Sequence, residues 1–294
     1  MSPRRLHILF GFCLVSLTAL TAPLAHAQSA NGDFNKYAQK LRENALLKME
    51  PTVQVQTSTS SQQTQAQPLG GTSTISRVGS FFGLGSRYPW KANIVTTVFW
   101  IGEGTTARNP TPNRASSWDP NWMGKYGGVD SPERRDGFMP VGFIPGQNPF
   151  YCALPYNDVT RGTTKPEASF VIPWFRQEFQ RPGQSVCKGR WLAIRHGNRV
   201  AYAQWEDCGP FRTDHWQYVF GKELPKANIN NGAGLDISPA VRDYLGINGI
   251  TDVCDWKFVD FSEVPNGPWA RFGDNNTFVM NARRTTERVA SGKQ

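Results

Sequence analysis

The chain has 294 residues and a formal net charge of +9, with 39% hydrophobic and 12% aromatic residues. Beyond its first residues it holds no run of about 18 apolar residues, which excludes a later membrane-spanning helix. Much of the positive charge lies towards the two ends instead of in one patch, which argues against a nucleic-acid partner.

In chain order, Arg4 and Arg5 precede an apolar run from Leu6 to Leu20, and Ala25-His26-Ala27 supplies the small-x-small pattern of a signal peptidase site. Residues 1–27 are therefore read as a cleaved signal peptide, and the mature protein as periplasmic or secreted. Cys13 follows Phe12 with no small residue beside it, so no stable membrane anchor is expected; an uncleaved N-terminal anchor is the alternative. Residues 28–87 combine a short helix with a linker. Phe34, Tyr37, Ala38, Leu41 and Ala45 recur at helical spacing over 33–49, and Pro51 ends the pattern. The Ser/Thr/Gln-rich stretch that follows is too polar to bury a core.

From Tyr88 to Gly273 the sequence is aromatic-rich and punctuated by Pro and Gly, which predicts an all-β domain with many turns. Asn93 to Ile101 is the first strong strand. Only Pro173–Phe179 and Ser238–Leu245 read as short helices, the second with Ser238 as N-cap and Pro239 in the first turn. Residues 274–294 read as a polar C-terminal tail.

Arg190 to His196 and Arg199 to Glu206 form a predicted hairpin closed at Gly197-Asn198. In a straight ladder opposed residue numbers sum to 395, which places Cys187 opposite Cys208. Loss of Cys13 leaves four cysteines in an oxidising compartment, so a Cys187 to Cys208 disulfide is expected, with Cys152 to Cys254 as the second bond by elimination. A bulge in either arm would shift that register. Alternation across the strand puts Asp207 on one face with Trp205, Ala203 and Ala201, the charged end of an apolar row. A half-buried carboxyl has its charged form disfavoured, which suits a proton donor; the competing assignment is a strand-end cap at the Gly209-Pro210 corner.

Two strings, Trp205-Glu206-Asp207-Cys208-Gly209-Pro210-Phe211 and Gly232-Ala233-Gly234-Leu235-Asp236-Ile237-Ser238-Pro239-Ala240-Val241, resemble the double-psi β-barrel domain of the rare lipoprotein A family, which is related to expansins and family 45 endoglucanases. The resemblance covers mainly 148–261. It implies a six-stranded double-psi β-barrel over 148–273, with 88–147 as an N-terminal extension of that domain. By this similarity Asp207 falls on the catalytic Asp, and Asp236 on a buried Asp with a structural role. Members with lytic transglycosylase activity carry His before the Leu-Pro pair, where this chain has Tyr151, a poor base because a phenol titrates at about 10.

Asp158 is a further catalytic candidate beside the alternative of an Asx turn. Trp205, Tyr156, Asp214, His215 and Trp216 are candidates for substrate contact, since sugar faces stack on aromatic rings. Trp100 and Glu103 lie near one another in the extension. No zinc-type spacing or phosphate-binding Gly loop accompanies these residues, so neither metal nor cofactor is expected. The implied protein is a monomer acting on peptidoglycan or a related cell-wall glycan. It is either a lytic transglycosylase-like enzyme with one Asp as general acid/base or a non-catalytic expansin-like binding module; an envelope protein that binds other proteins is a third reading.

Overall fold

A computed structural model describes residues 87–292 except 108, 212 and 213. The signal peptide, the 33–49 helix and the polar linker lie outside the described residues. Six strands close into a barrel: β1 (Lys91–Val98), β4 (Tyr151–Leu154), β7 (Trp191–His196), β8 (Arg199–Cys208), β9 (Leu235–Ile237) and β10 (Thr251–Phe258). Their order around the barrel is β1, β10, β7, β8, β4, β9 and back to β1. The pairs β1 with β9 and β4 with β8 are parallel, and the other four are antiparallel. Two small hairpins lie outside the barrel, β2 (Arg135–Asp136) with β3 (Met139–Pro140) and β5 (Val159–Thr160) with β6 (Thr163–Thr164). The barrel therefore starts earlier than residue 148, because Lys91–Val98 supplies one of its walls.

Strand composition explains the closure. In β10 Cys254, Trp256 and Phe258 are buried and alternate with half-exposed Val253, Asp255 and Lys257, the two-residue period of a wall with one side inward. All four residues of β4 are buried because both its faces are covered. Cys152 and Leu154 join the barrel core, while Tyr151 and Ala153 pack with Phe99, Ile101, Trp122 and Tyr126 in a second cluster outside it.

The helices are short: α1 (Trp122–Tyr126), α2 (Ala168–Val171), α3 (Phe175–Glu178), α4 (Trp216–Val219) and α5 (Pro239–Leu245). Ser238 caps α5 as anticipated, its hydroxyl accepting from Val241 N, and Gly246 closes it at φ 71°, where a side chain would be strained. The segment expected to be a polar tail is structured among its described residues. It forms α6 (Thr277–Ala290), introduced by Asn276, whose side chain accepts from Phe278 N and donates to the carbonyls of Trp269 and Phe272, both at 2.8 Å. Asn275 reaches the barrel wall: its Oδ1 accepts from Asn148 N at 2.8 Å, its Nδ2 donates to Glu206 Oε1 at 3.0 Å, and its carbonyl accepts from Gln204 Nε2 at 3.0 Å.

The hairpin register is as derived, with opposed pairs running from Trp191 and Gln204 to His196 and Arg199. Among the described residues neither expected disulfide is formed, and Cys152, Cys187, Cys208 and Cys254 are free thiols. The ladder ends where Trp205 N donates to Arg190 O and Gly189 N donates to Trp205 O, each at 2.8 Å, and a turn in which Arg190 N donates to Cys187 O at 3.1 Å leads the chain out of register. Cys152 and Cys254 stand on β4 and β10, three strands apart in either direction around the barrel. Burial pushes these thiols up, that of Cys254 to about 12.

Candidate functional site

A single irregularity in β8 creates the site. Trp205 is level with Cys152 of β4, but the next aligned pair is Asp207 with Ala153, so Glu206 is an extra residue in β8. Such a bulge re-aims the side chain that follows it. Strict alternation would have left Asp207 beside Trp205; the bulge places it level with Ala153, on the outer side of β4. Ala153 is also opposed to Asp236 of β9, which in turn is level with Thr97 of β1. Asp207, Ala153, Asp236 and Thr97 thus form one row across four neighbouring strands. With strands about 4.8 Å apart, the two aspartates sit on backbones separated by about 10 Å.

This row lies in a cleft of about 970 Å³, whose wall also includes Trp100, Glu103, Ser117 and the Cys208 to Phe211 corner. Glu103 and Trp100 come from the segment after β1. Asp207, 8% exposed, is held through Oδ1, which accepts from Ser117 N at 2.7 Å and Cys208 N at 2.8 Å. Trp205 Nε1 donates to the Asp207 carbonyl at 2.7 Å and fixes the backbone there. Asp236 Oδ1 accepts from the Thr97 hydroxyl. Glu103 Oε2 accepts from Asn113 Nδ2 at 2.9 Å.

Withdrawal from water raises all three carboxyls. Burial lifts Asp236 to about 8 against the opposing Thr97 bond, with the nearby charges of Glu103 and Asp207 adding to the rise. Burial likewise takes Glu103 to about 7, opposed by bonds from Trp100, Asn109 and Asn113. Asp207 is raised by burial, but the N–H groups of Ser117 and Cys208 favour its charged form. The cleft therefore pairs a carboxyl that keeps its proton at neutral pH with one supplied with donors for its anion.

Gly209 guards this arrangement, because a Cβ there would stand 3.0 Å from Asp236 Oδ2, tighter than ordinary contact. Gly209→Ala is expected to displace the Asp236 carboxyl and move its titration, followed by NMR, away from about 8, while thermal melting moves little. An unchanged titration would show that Asp236 is not held by this corner.

The other sequence candidates fall elsewhere. Tyr151 is buried outside the cleft lining, where its hydroxyl donates to Asp130 Oδ2 at 2.8 Å and accepts from Ile101 N at 3.0 Å. Burial and the Asp130 charge push that phenol above its ordinary value. Asp158 is buried and accepts from Ser185 Oγ and Val186 N, each at 2.7 Å, as a loop anchor. Trp205 is wholly buried in the core and Trp216 packs against it. Tyr156 and Asp214 are brought together by a bridge, and Lys165 pairs with Asp214 while lying 5.2 Å over the Tyr156 ring. His215 is buried with Nε2 3.1 Å from Glu223 Oε2. None of these lines the cleft. Asp236, expected in a structural role, does.

The sequence pattern assigns Glu103 no role and does not single out Thr97 or Ser117. Glu103 in Gly102-Glu103-Gly104, just past a strong strand, was the one available signal. Among the described residues no group of three or more His, Cys, Asp or Glu is arranged to hold a metal ion, and no described helix is long and apolar enough to cross a membrane. The chain matches no protein-family profile, and no curated protein matches it.

Proposed function

We propose that the protein is an exported enzyme that cleaves a cell-wall glycan, peptidoglycan or a close relative, on a double-psi β-barrel like that of the rare lipoprotein A family. The observation that carries this reading is the row of Asp207, Ala153, Asp236 and Thr97 on the floor of an open cleft. A closed six-stranded barrel with two parallel pairs supports the fold assignment.

The two aspartates divide work that the sequence had given to Asp207 alone. Asp236, protonated near neutral pH, gives its proton to the glycosidic oxygen as the C–O bond breaks. Asp207, with two backbone N–H groups on its carboxylate, takes the proton of the attacking hydroxyl. If that hydroxyl belongs to the same sugar, the product is an internal anhydro ring; if it belongs to water, the product is a new reducing end. The small side chain of Ala153 leaves room between the two carboxyls.

Incubating the purified protein with peptidoglycan, including strands stripped of stem peptides, tests this reading. Anhydro-sugar or reducing-end products that vanish in Asp207→Asn support it. The pH profile has a fixed sign: kcat/KM falls above about pH 8 as Asp236 loses its proton, and falls on the acid side as Asp207 gains one, at a pH above the usual aspartate range. A rate that keeps climbing beyond pH 9 would remove Asp236 as the donor.

One observation favours the second reading, a binding module like an expansin. The position where lytic members of the family carry His is occupied here by Tyr151, which is buried and committed to Asp130. Glycan binding without any product would establish that reading.

A further inference from the structure

A second pocket of about 700 Å³ adjoins the cleft, and Ala115, Ser116 and Ser117 line both. Ser117 N also holds Asp207 Oδ1 at 2.7 Å, so the second pocket begins one residue away from the proposed site of cleavage. Its polar wall includes Trp118, Arg181, Gln184, Ser185 and Lys188. The wall is built closely. Gly183, at φ 78°, presses on the β5–β6 hairpin so tightly that a Cβ would meet Gly162 O at 2.1 Å, and its N–H donates to Thr164 Oγ1 at 3.0 Å.

Charge differs between the two chambers. The ionisable groups among the described residues of the cleft wall are Glu103, Asp207, Asp236 and the Cys208 thiol, with no Lys or Arg. The second pocket carries Arg181 and Lys188 against a single carboxylate, Asp119, whose Oδ2 is already 2.8 Å from Lys125 Nζ. Lys188 Nζ lies 3.6 Å from Asp119 Oδ2 and 4.0 Å from Glu206 Oε2, so it is partly engaged. Arg181 is not: it is exposed, its Nε donates to Gln184 Oε1 at 3.2 Å, and among the described residues it has no carboxylate partner. A guanidinium left open in a pocket of hydroxyls and amides matches a planar carboxylate by its two-pronged geometry.

We infer that this pocket is a subsite for a carboxylate-bearing sugar next to the cleaved linkage, with Arg181 as the residue that selects it. The inference rests on the glycan reading of the cleft and narrows its substrate to a chain in which a neutral sugar in the acidic cleft is followed by an acidic one.

The test uses an oligosaccharide of alternating N-acetylglucosamine and N-acetylmuramic acid and the same oligosaccharide with its carboxyls reduced to alcohols. Binding is measured by calorimetry at low salt in an Asp207→Asn background, which prevents turnover. The acidic form is expected to bind about tenfold more tightly, the size of one charge-assisted pair. Arg181→Gln is expected to remove that difference without changing the affinity for the reduced form, and Arg181→Lys to restore part of it. Equal binding of the two forms, or a preference that survives in Arg181→Gln, overturns the subsite and leaves the glycan reading standing. Binding of neither form overturns both.

Discussion

Asp236→Asn is expected to lower kcat/KM by about 100- to 10,000-fold, the range for loss of a positioned proton donor, and at the same time to make the protein more heat-stable above neutral pH. The two effects share a cause. Burial holds the folded Asp236 at about 8, whereas in an unfolded chain an aspartate titrates near 3.9. Between those values the folded state binds the proton that the unfolded state has released, so stability falls as pH rises through the window. Asparagine has no proton to lose and keeps an oxygen to accept from Thr97. Melting curves of Asp236→Asn and the parent protein are expected to be close at pH 4 and to diverge towards pH 8, with the variant higher. Each kcal/mol recovered corresponds to about 2–4 °C in a domain of this size. An offset independent of pH would mean that Asp236 is ionised in the folded protein, and the donor role would pass to Glu103, the other raised carboxyl in the cleft.

Ending the chain after Gly273 is expected to abolish folding, although it removes only residues that read as a solvated tail. Asn275 and Asn276 make bonds to Asn148, Gln204, Glu206, Trp269 and Phe272. Phe278 packs its ring on Trp191 and Phe261 at centroid distances of 5.8 and 4.7 Å. Each buried polar group left without a partner costs about 1–3 kcal/mol, and several together approach the whole stability of a typical domain, about 5–15 kcal/mol. Glu206 is the worst placed, since burial already holds it at about 7 and the loss of Asn275 takes away a hydrogen bond that favours its charged form. Asn275→Ala alone is expected to cost about 2–4 kcal/mol through two lost side-chain bonds. Ending the chain after Asn281 instead removes only exposed residues among those described, and it is expected to leave the melting temperature within about 2 °C. Circular dichroism melts of the three variants test the contrast; equal effects of the two truncations would show that the Asn275 contacts carry little.

What the sequence made legible was local and periodic. The Gly197-Asn198 turn and the alternation of β7 and β8 gave the hairpin its register as far as Gln204, and the Ser238-Pro239 pair marked the start of α5. The departures came where one residue breaks a period or where a short polar segment finds distant partners. Glu206 inserts into β8 and takes Asp207 off the face it would share with Trp205, an event with no compositional signature in Trp-Glu-Asp-Cys. The turn from Cys187 to Arg190, a separate departure, ends the straight β7–β8 ladder before it reaches Cys187 and Cys208. Asp236 belongs to the cleft because β9 lies between β1 and β4, a parallel crossing that pattern alone does not reveal. The run Asp274-Asn275-Asn276 looks like a solvated end because its hydrogen-bond partners lie far back in the chain.

The four members of the cleft floor are Thr97, Ala153, Asp207 and Asp236, and the two parallel pairings together with the antiparallel pairing of β4 with β9 bring them level. No hairpin or other local unit of the chain contains two of them as neighbours. In the unfolded chain the carboxyls are ordinary solvated acids on separate segments. Folding brings the row together and raises Asp236 to about 8, so the titration of that one side chain is expected to report whether the barrel has closed.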